Sequence, residues 1–180
     1  MKHIIKEVFL QNGEKVKIKR AVREDFSIEN YKFFYLWLMK VEKFLYFSPD
    51  LRRLERDWKI FLDGMNNKII LVALNDSNKI IGECEVIRYK SPKVSHVGTL
   101  GIAIHPSYQK LGLGTALVKL MEELAKKEGI KKIELSVIEG NIGAMKLFKN
   151  LGYFEEGVRL NKFRHSEGFR NEIEMAKIIK

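Results

Sequence analysis

The densest chemical signal in the chain is Gln109-Lys110-Leu111-Gly112-Leu113-Gly114-Thr115. It follows an apolar, strand-like run and a turn, and it opens a helix-like run from about 112 to 128. Glycine at 112 and 114 lets backbone N–H groups approach oxygen atoms with no Cβ in the way, and the positive end of the following helix favours negative charge there. The chemistry implied is pyrophosphate binding. Two nucleotide motifs are excluded. The dinucleotide fingerprint G-x-G-x-x-G/A needs a small residue where Leu117 stands, and G-x-x-x-x-G-K-S/T needs Gly and Lys in place of Leu117 and Val118.

A second group of residues offers proton chemistry. Glu83 and Glu85 lie two apart in a strand-like run, so their carboxylates project from one face, toward a cleft or toward solvent. His96, at the start of the next run, brings an imidazole, the side chain that exchanges protons near neutrality. His105 precedes Pro106 and belongs to a turn. Cys84 sits between the two glutamates and reads as a buried apolar residue. As the only cysteine it excludes an intrachain disulfide, and with no Cys/His cluster no metal site is expected.

The elements that must position these groups follow from patterning. Ile4 to Leu10 and Glu14 to Val22 flank Asn12-Gly13, a pair that favours the primed turn of a tight hairpin. Asp25 and Ser27 offer N-caps for an aromatic-rich helix to about Tyr46, and Ser48-Pro49 opens a second helix that Gly64 ends. Tyr31, Phe34, Tyr46, Phe47 and their aromatic neighbours are mostly core, with some expected to line a pocket. Lys68 to Leu74, Lys79 to Arg88, Ser95 to Ile104 and Lys131 to Ile138 read as strands. Gly129 ends the long helix, and Asn141 caps another that Gly152 closes. Tyr153 to Arg164 and Phe169 to Ile178 are strands about Ser166-Glu167-Gly168. Strand and helix alternate in the second half, which requires a right-handed crossover between parallel neighbours, while the first half supplies antiparallel strands. The fold class is mixed α/β.

The spacing Gln/Arg-x-x-Gly-x-Gly/Ala at 109 to 114 resembles the acyl-coenzyme A site of the GCN5-related N-acetyltransferases (GNAT). The run Leu100 to Ile104 with His105-Pro106-Ser107-Tyr108 is similar to that family's approach to the motif, and Asn141-x-x-Ala144-x-x-Leu147-Phe148-x-x-x-Gly152-Tyr153 is similar to its second signature. The resemblance covers about 68 to 178. It implies a twisted mixed sheet of about seven strands flanked by about four helices, with splayed parallel central strands. It also implies one domain over 1–180, made of a hairpin (1–22), a helical acceptor-side region (23–66) and a cofactor-binding core (68–178).

What the resemblance implies about the site is equally specific. Acetyl-CoA is the cofactor, with Ile102, Ala103 and Ile104 along its pantetheine arm and Gln109, Lys110, Leu111, Gly112, Leu113, Gly114 and Thr115 about its pyrophosphate. Asn141, Ala144 and Phe148 lie beside the arm, and Lys149 serves the 3′-phosphate. Asn141 also reads as an ordinary helix cap. The family commonly has Tyr where Phe148 stands, placed to protonate the departing thiolate, and Phe cannot donate. A thiol with a pKa of about 8.5 is still a tolerable leaving group. The strand glutamate used as base by some members is replaced by Gly98, which leaves Glu83, Glu85 and His96 as candidate catalytic residues, with water draining the proton. The activity implied is acetyl transfer to a primary amine by direct attack in a ternary complex. The acceptor is a protein N-terminus, a polyamine or a small amino compound, and a non-catalytic acyl-CoA-binding or sensing protein is the alternative.

Composition sets the outer limits. The 180 residues, 46% hydrophobic and 31% charged, suit a soluble globular chain with one well-buried core. No apolar run approaches the ~20 residues of a membrane span, and the first residues lack a secretory h-region, so a cytoplasmic monomer or homodimer is expected, with no membrane partner. The formal net charge of +10 is dispersed over surface lysines such as Lys15, Lys17 and Lys19 and carries no reader motif, so no nucleic-acid partner is expected. It disfavours a polycationic acceptor unless the acceptor pocket is locally acidic.

Overall fold

One mixed sheet organises the chain. In the computed structural model, which describes residues 4–166 and 168–179, eight strands lie in the order β1-β2-β3-β4-β5-β6-β8-β7. They are β1 (Ile4–Phe9), β2 (Lys15–Arg20), β3 (Lys68–Leu74), β4 (Ile80–Arg88), β5 (Val97–Ile104), β6 (Lys132–Ile138), β7 (Phe154–His165) and β8 (Gly168–Ile178). Every strand-like run of the sequence takes part, one more than the seven the resemblance implies. β5 and β6 are the parallel pair, and the other neighbours are antiparallel. Glu167, of the Ser166-Glu167-Gly168 run, lies outside the described residues.

Two helical layers cover the sheet. On one face α3 (Leu113–Lys127) supplies Leu113, Leu117, Val118, Leu120, Met121 and Ala125, a stripe at i, i+4, i+5, i+7, i+8 and i+12. α4 (Ile142–Asn150) packs beside it through Ala144, Met145, Leu147 and Phe148. Each fully buried leucine on the α3 stripe contributes about 1.5–3 kcal/mol by leaving water, so Leu117→Ala would cost about 2–5 kcal/mol once the cavity is included. On the other face α1 (Ile28–Leu38) and α2 (Leu54–Gly64) bury Tyr31, Phe34, Tyr35, Trp37 and Leu62 against Ile70, Val72 and Ile80. β3 is therefore buried on both sides, which its unbroken run Ile69-Ile70-Leu71-Val72-Ala73 satisfies. No helix of the described residues is long and apolar enough to cross a membrane.

Several local expectations are corrected. The first hairpin does not use a primed turn. Gly13 alone takes a positive φ (82°), its amide donates to the Leu10 carbonyl, and the Leu10 amide donates to Glu14, which is a type I turn closed by a glycine bulge. Ser27, whose hydroxyl accepts from the Asn30 amide at 3.3 Å, caps α1, whereas Asp25 pairs with buried Lys19. α1 stops at Leu38 and tightens into a 3-10 turn, short of Tyr46, because the stripe Tyr31, Phe34, Tyr35, Leu38 has no apolar successor where Glu42 stands. Asp50 caps the turn leading into α2, accepting from the Arg52 amide at 3.0 Å, and the Ser48 carbonyl instead takes the Arg53 guanidinium. α2 does end at Gly64 as expected, but Gly64 keeps a right-handed φ of −75°, and the chain runs on through a further 3-10 turn. Lys19 is buried, so the alternating lysines of β2 are not a uniformly solvated row.

Candidate active site

The site begins where the sheet opens. β5 and β6 pair only from Val97↔Lys132 to Thr99↔Glu134, yet β5 stays on β4 through Ile104 and β6 stays on β8 through Ile138. The sheet therefore parts into two halves, as the family resemblance implies. The His105 amide donates to Ile81 at 2.9 Å and the Tyr89 amide to Val97 at 3.3 Å, which fixes the phase of the β4–β5 ladder. Odd-numbered residues of β5 bond to β4, and Leu100, Ile102 and Ile104 turn N–H and C=O toward the gap. Ile102 and Ile104 thus offer an unpaired strand edge, the arrangement that suits an amide-bearing arm. The Ile104 carbonyl is taken by Gln109 Nε2 at 3.0 Å, so Gln109 braces the loop. Ala103 differs from its two neighbours: its backbone belongs to the ladder opposite Glu83, and it faces the α1–α2 side.

Beyond β5 the loop forms a cradle. Lys110 (φ 59°) and Gly112 (φ 89°) are left-handed, and such reversals gather successive amides into a concave anion nest. Leu113 is buried and anchors the loop to the core, while the Leu111 carbonyl accepts the Gln11 amide at 3.1 Å from the first hairpin. Gly112 caps α3 without a side chain, and the first turn, which holds half-buried Thr115, has no acidic residue. Among the described residues no acceptor takes the amides of Leu113, Gly114 or Thr115. A Cβ on Gly114 would sit 3.1 Å from Ile104 Cδ1 and 3.2 Å from Leu147 Cδ2, so this glycine marks where β5, α3 and α4 converge. A bare, positively polarised helix start beside an open strand edge fits the pyrophosphate and pantetheine of coenzyme A.

The second signature divides its labour. Asn141 Oδ1 accepts from the Ala144 amide at 3.2 Å, so the capping role is real, and Asn141, Ala144 and Phe148 also line the cleft. Lys149 is not brought to the cleft; it pairs with Glu155 at 2.7 Å. The phenol missing at Phe148 is not replaced by its neighbours. Tyr153 packs its ring edge-on to Phe148 at 5.3 Å but is buried in the core, where burial and then the charge of Glu122 push its phenol well above its ordinary range. Tyr108 donates to Glu14 at 2.8 Å.

On the opposite face a cleft of about 1060 Å³ extends from the gap to α1 and α2. Aromatic residues line it, including Tyr31, Phe34, Phe61, Tyr46 and Phe163, the last two in edge contact at 5.1 Å. Its carboxylates, Asp57, Glu83, Glu85, Glu134, Glu156, Glu172 and Glu174, outnumber Arg53, Arg56, Lys68 and Arg159. The cleft is thus acidic in a chain of net charge +10. Glu83 stands opposite Ala103 and Glu85 opposite Gly101, so the small partners leave both carboxylates open toward the gap. Glu85 pairs with Lys68 at 2.8 Å. Glu83 is 7% exposed, and its Oε1 has no hydrogen-bond partner. Burial, and then the charge of Glu85, push the Glu83 carboxyl well above the usual carboxylate range, with Lys68 opposing.

His96 is not brought to this cleft. It is exposed just before β5, at the closed end of the β5–β6 pair, where its carbonyl accepts from Lys131 at 2.7 Å. His105 caps a 3-10 turn and stacks on Phe33. Gly98 faces the α3 core, where a Cβ would lie 2.6 Å from Val86 Cγ1, so no side chain there can reach the acidic face. Sequence reasoning missed Lys68, Glu172, Glu174 and Arg159 as cleft residues. The period-2 spacing of Glu172 and Glu174 repeats that of Glu83 and Glu85, and is the signal that was present.

Splayed parallel strands, a bare helix start and a signature helix across the gap define the class of the GNAT acetyltransferases. The chain belongs to that family: the model of the acetyltransferase (GNAT) family matches residues 25–153. A GNAT acetyltransferase from Streptococcus pneumoniae superposes with a TM-score of 0.76 at 27% identity, over 92% of this chain and 99% of that one. The ribosomal protein bS18-alanine N-acetyltransferase of Escherichia coli is 35% identical over 75 residues, 42% of this chain and 51% of that protein. An L-amino acid N-acetyltransferase of the same organism is 31% identical over 88 residues, 48% of this chain and 54% of that protein. The chain spans about half the length of these curated relatives.

Proposed function

We propose that the protein transfers the acetyl group of acetyl-CoA to a primary amine held on the acidic face of the cleft, by direct attack in a ternary complex. The observation that carries this reading is the gap itself, with strand edge and bare helix start on one side and carboxylates on the other. Bound acetyl-CoA supplies the activated acyl group as a thioester. The Ile102 and Ile104 backbone holds the arm, the amides from Lys110 to Thr115 hold the pyrophosphate, and Ala144 leaves room for the arm beside α4. Asn141 adds a polar contact from the cap of that helix.

The acceptor amine must lose its proton before it attacks. Glu83 is the base we assign, acting through water, because its free Oε1 faces a cleft walled by small residues and its raised proton affinity suits withdrawal from an ammonium. Glu85, held by Lys68, sets the field around it. An acidic cleft removes the objection that the basic chain raises against cationic acceptors. Protein N-termini, polyamines and small amino compounds all remain within the acceptor class, and the names of the relatives, which cite a ribosomal-protein alanine and L-amino acids, point to the same class.

Phe148 favours one other reading, an acyl-CoA-binding protein without turnover, since no phenol faces the arm from α4. Thiol release from acetyl-CoA across a panel of amines and peptides separates the two. Amine-dependent release supports the transferase, and cofactor binding with no release by any acceptor supports the binder.

A further inference from the structure

We propose that Glu172 and Glu174 form a cation subsite for a second positive charge on the acceptor, so that the preferred acceptor is a linear aliphatic diamine or polyamine. This rests on the acetyltransferase reading above.

Strand register carries the argument. Glu83 pairs with Ala103 and Glu85 with Gly101 across β4–β5, and Ile138 pairs with Glu172 and Ser136 with Glu174 across β6–β8. Continuing the β5–β6 register from Thr99↔Glu134 sets Gly101 level with Ser136 and Ala103 level with Ile138. Two rows of side chains therefore cross the gap on one face, each with a glutamate at either end. Three strand spacings of about 4.8 Å put these two walls about 14 Å apart before the splay is added. An amine at the middle of the gap lies about 7 Å from either wall, a separation that a short methylene chain spans.

The far wall is built to take a cation. Glu172 is 2% exposed, lines the cleft, and has an Oε2 with no hydrogen-bond partner. The chain's own Arg159 already rests on this pair, 2.5 Å from Glu174 Oε1 and 3.4 Å from Glu172 Oε2. One guanidinium against two carboxylates leaves acceptor oxygens over, as Lys68, which pairs with Glu85, leaves the Glu83 Oε1 on the near wall. Arg159 is half exposed and free to swing outward when an acceptor ammonium replaces it. Between the walls Ile138 supplies apolar surface for methylenes, and Tyr46 and Phe163 line the same cleft.

The test compares putrescine with n-pentylamine, which has a methyl in place of the second ammonium, by coenzyme A thiol release. A charge-assisted contact predicts a kcat/KM ratio of about 10 or more in favour of putrescine. Glu174→Gln should shrink that ratio about tenfold through KM, and Glu172→Gln should do the same, with thermal melts showing that both variants are folded. Glu83→Gln should instead lower kcat for both amines. Equal kcat/KM for the two amines in the wild type overturns the subsite and leaves acetyl transfer standing. If no amine is turned over, the transferase reading fails. Calorimetric titration with putrescine then decides the subsite alone: binding weakened by Glu174→Gln supports it, and absent or unaltered binding overturns it.

Discussion

Gly114→Glu puts bulk and charge into the cradle at once, and the structure separates the two effects. The new Cβ would lie 3.1 Å from Ile104 Cδ1 and 3.2 Å from Leu147 Cδ2, both ends of flexible side chains that can give by a few tenths of an ångström. The packing penalty is therefore at the low end of the ~1–3 kcal/mol usual for overfilled sites, and leaving glycine in a helix returns about 1 kcal/mol. The fold should survive. The carboxylate is different, because it enters the bare first turn of α3 where the pyrophosphate is to lie. One charge at about 5 Å from another, at an effective dielectric of about 20, costs about 3 kcal/mol, which alone weakens binding by ~100-fold. Gly114→Ala carries the bulk without the charge and should weaken acetyl-CoA by no more than about tenfold. Calorimetric titration of both variants with acetyl-CoA, with melting temperatures as the folding control, reads the difference. Wild-type affinity in a folded Gly114→Glu protein would refute the assignment of the cradle.

Four further expectations concern the proton path, the walls of the cleft and the core behind them. If ionised Glu83 is the base, the acidic limb of kcat/KM lies above the usual carboxylate range, and Glu85→Gln moves it to lower pH by removing a repulsive charge and leaving Lys68 unpaired; a pH–rate profile that does not move refutes the coupling. The same raised pKa gives Glu83 a stabilising proton that is fully held below the ordinary value of about 4.3 and lost as pH rises through the folded value, so the melting temperature of Glu83→Gln should gain on the wild type as pH rises above that range. Phe148→Tyr is expected to raise turnover, by up to about 10², by restoring a donor beside the arm; unchanged turnover in stopped-flow assays assigns thiolate protonation to water. Gly98→Ala should destabilise the fold by about 1–3 kcal/mol in urea melts, because its Cβ would meet Val86 Cγ1 at 2.6 Å in the packed core.

The half of the site we assign to the cofactor was legible in the sequence because most of its determinants are local. Gly112, the cap Asn141 and the closing Gly152 act within a few residues of themselves, and the structure gives each the backbone role its type suggests, while Gly114 marks a close approach of β5, α3 and α4. Strand existence was equally plain, since apolar runs such as Ile69 to Ala73 allow little else. What failed was competition between similar local signals. Ser48-Pro49 reads as a helix start, but the cap falls on the next residue, Asp50, which takes the Arg52 amide. Asn12-Gly13 suits two hairpin turns, and only the backbone of Asn12 tells them apart. The half we assign to the acceptor was hidden because its charges come from five separate strands, β3, β4, β6, β7 and β8, and from α2. Lys68 meets Glu85 across 17 residues, and Glu172 faces Glu83 only through the registers of β4, β5, β6 and β8.

A single phase ties the two halves together. On β5 the backbone of even-numbered residues faces the gap, while the side chains of odd-numbered residues face the acidic cleft. The same alternation therefore decides which amides can hold an arm and which side chains stand between Glu83, Glu85 and the reacting centre. Those side chains are Gly101 and Ala103, and a Cβ on Gly101 would already lie 3.5 Å from Glu85 Cγ. A slip of one residue would direct Ile102 and Ile104 into the cleft and bury the carboxylates' path beneath branched side chains. The Gln109 bond to Ile104 and the Tyr89 bond to Val97 brace the two ends of β5. Weakening the first by Gln109→Ala should loosen the cofactor edge while leaving the carboxylates in place. Hydrogen exchange at the neighbouring His105 amide, which donates to Ile81 at 2.9 Å, should quicken with the substitution without a matching change at Glu83, and unaltered exchange there would refute a brace from the loop.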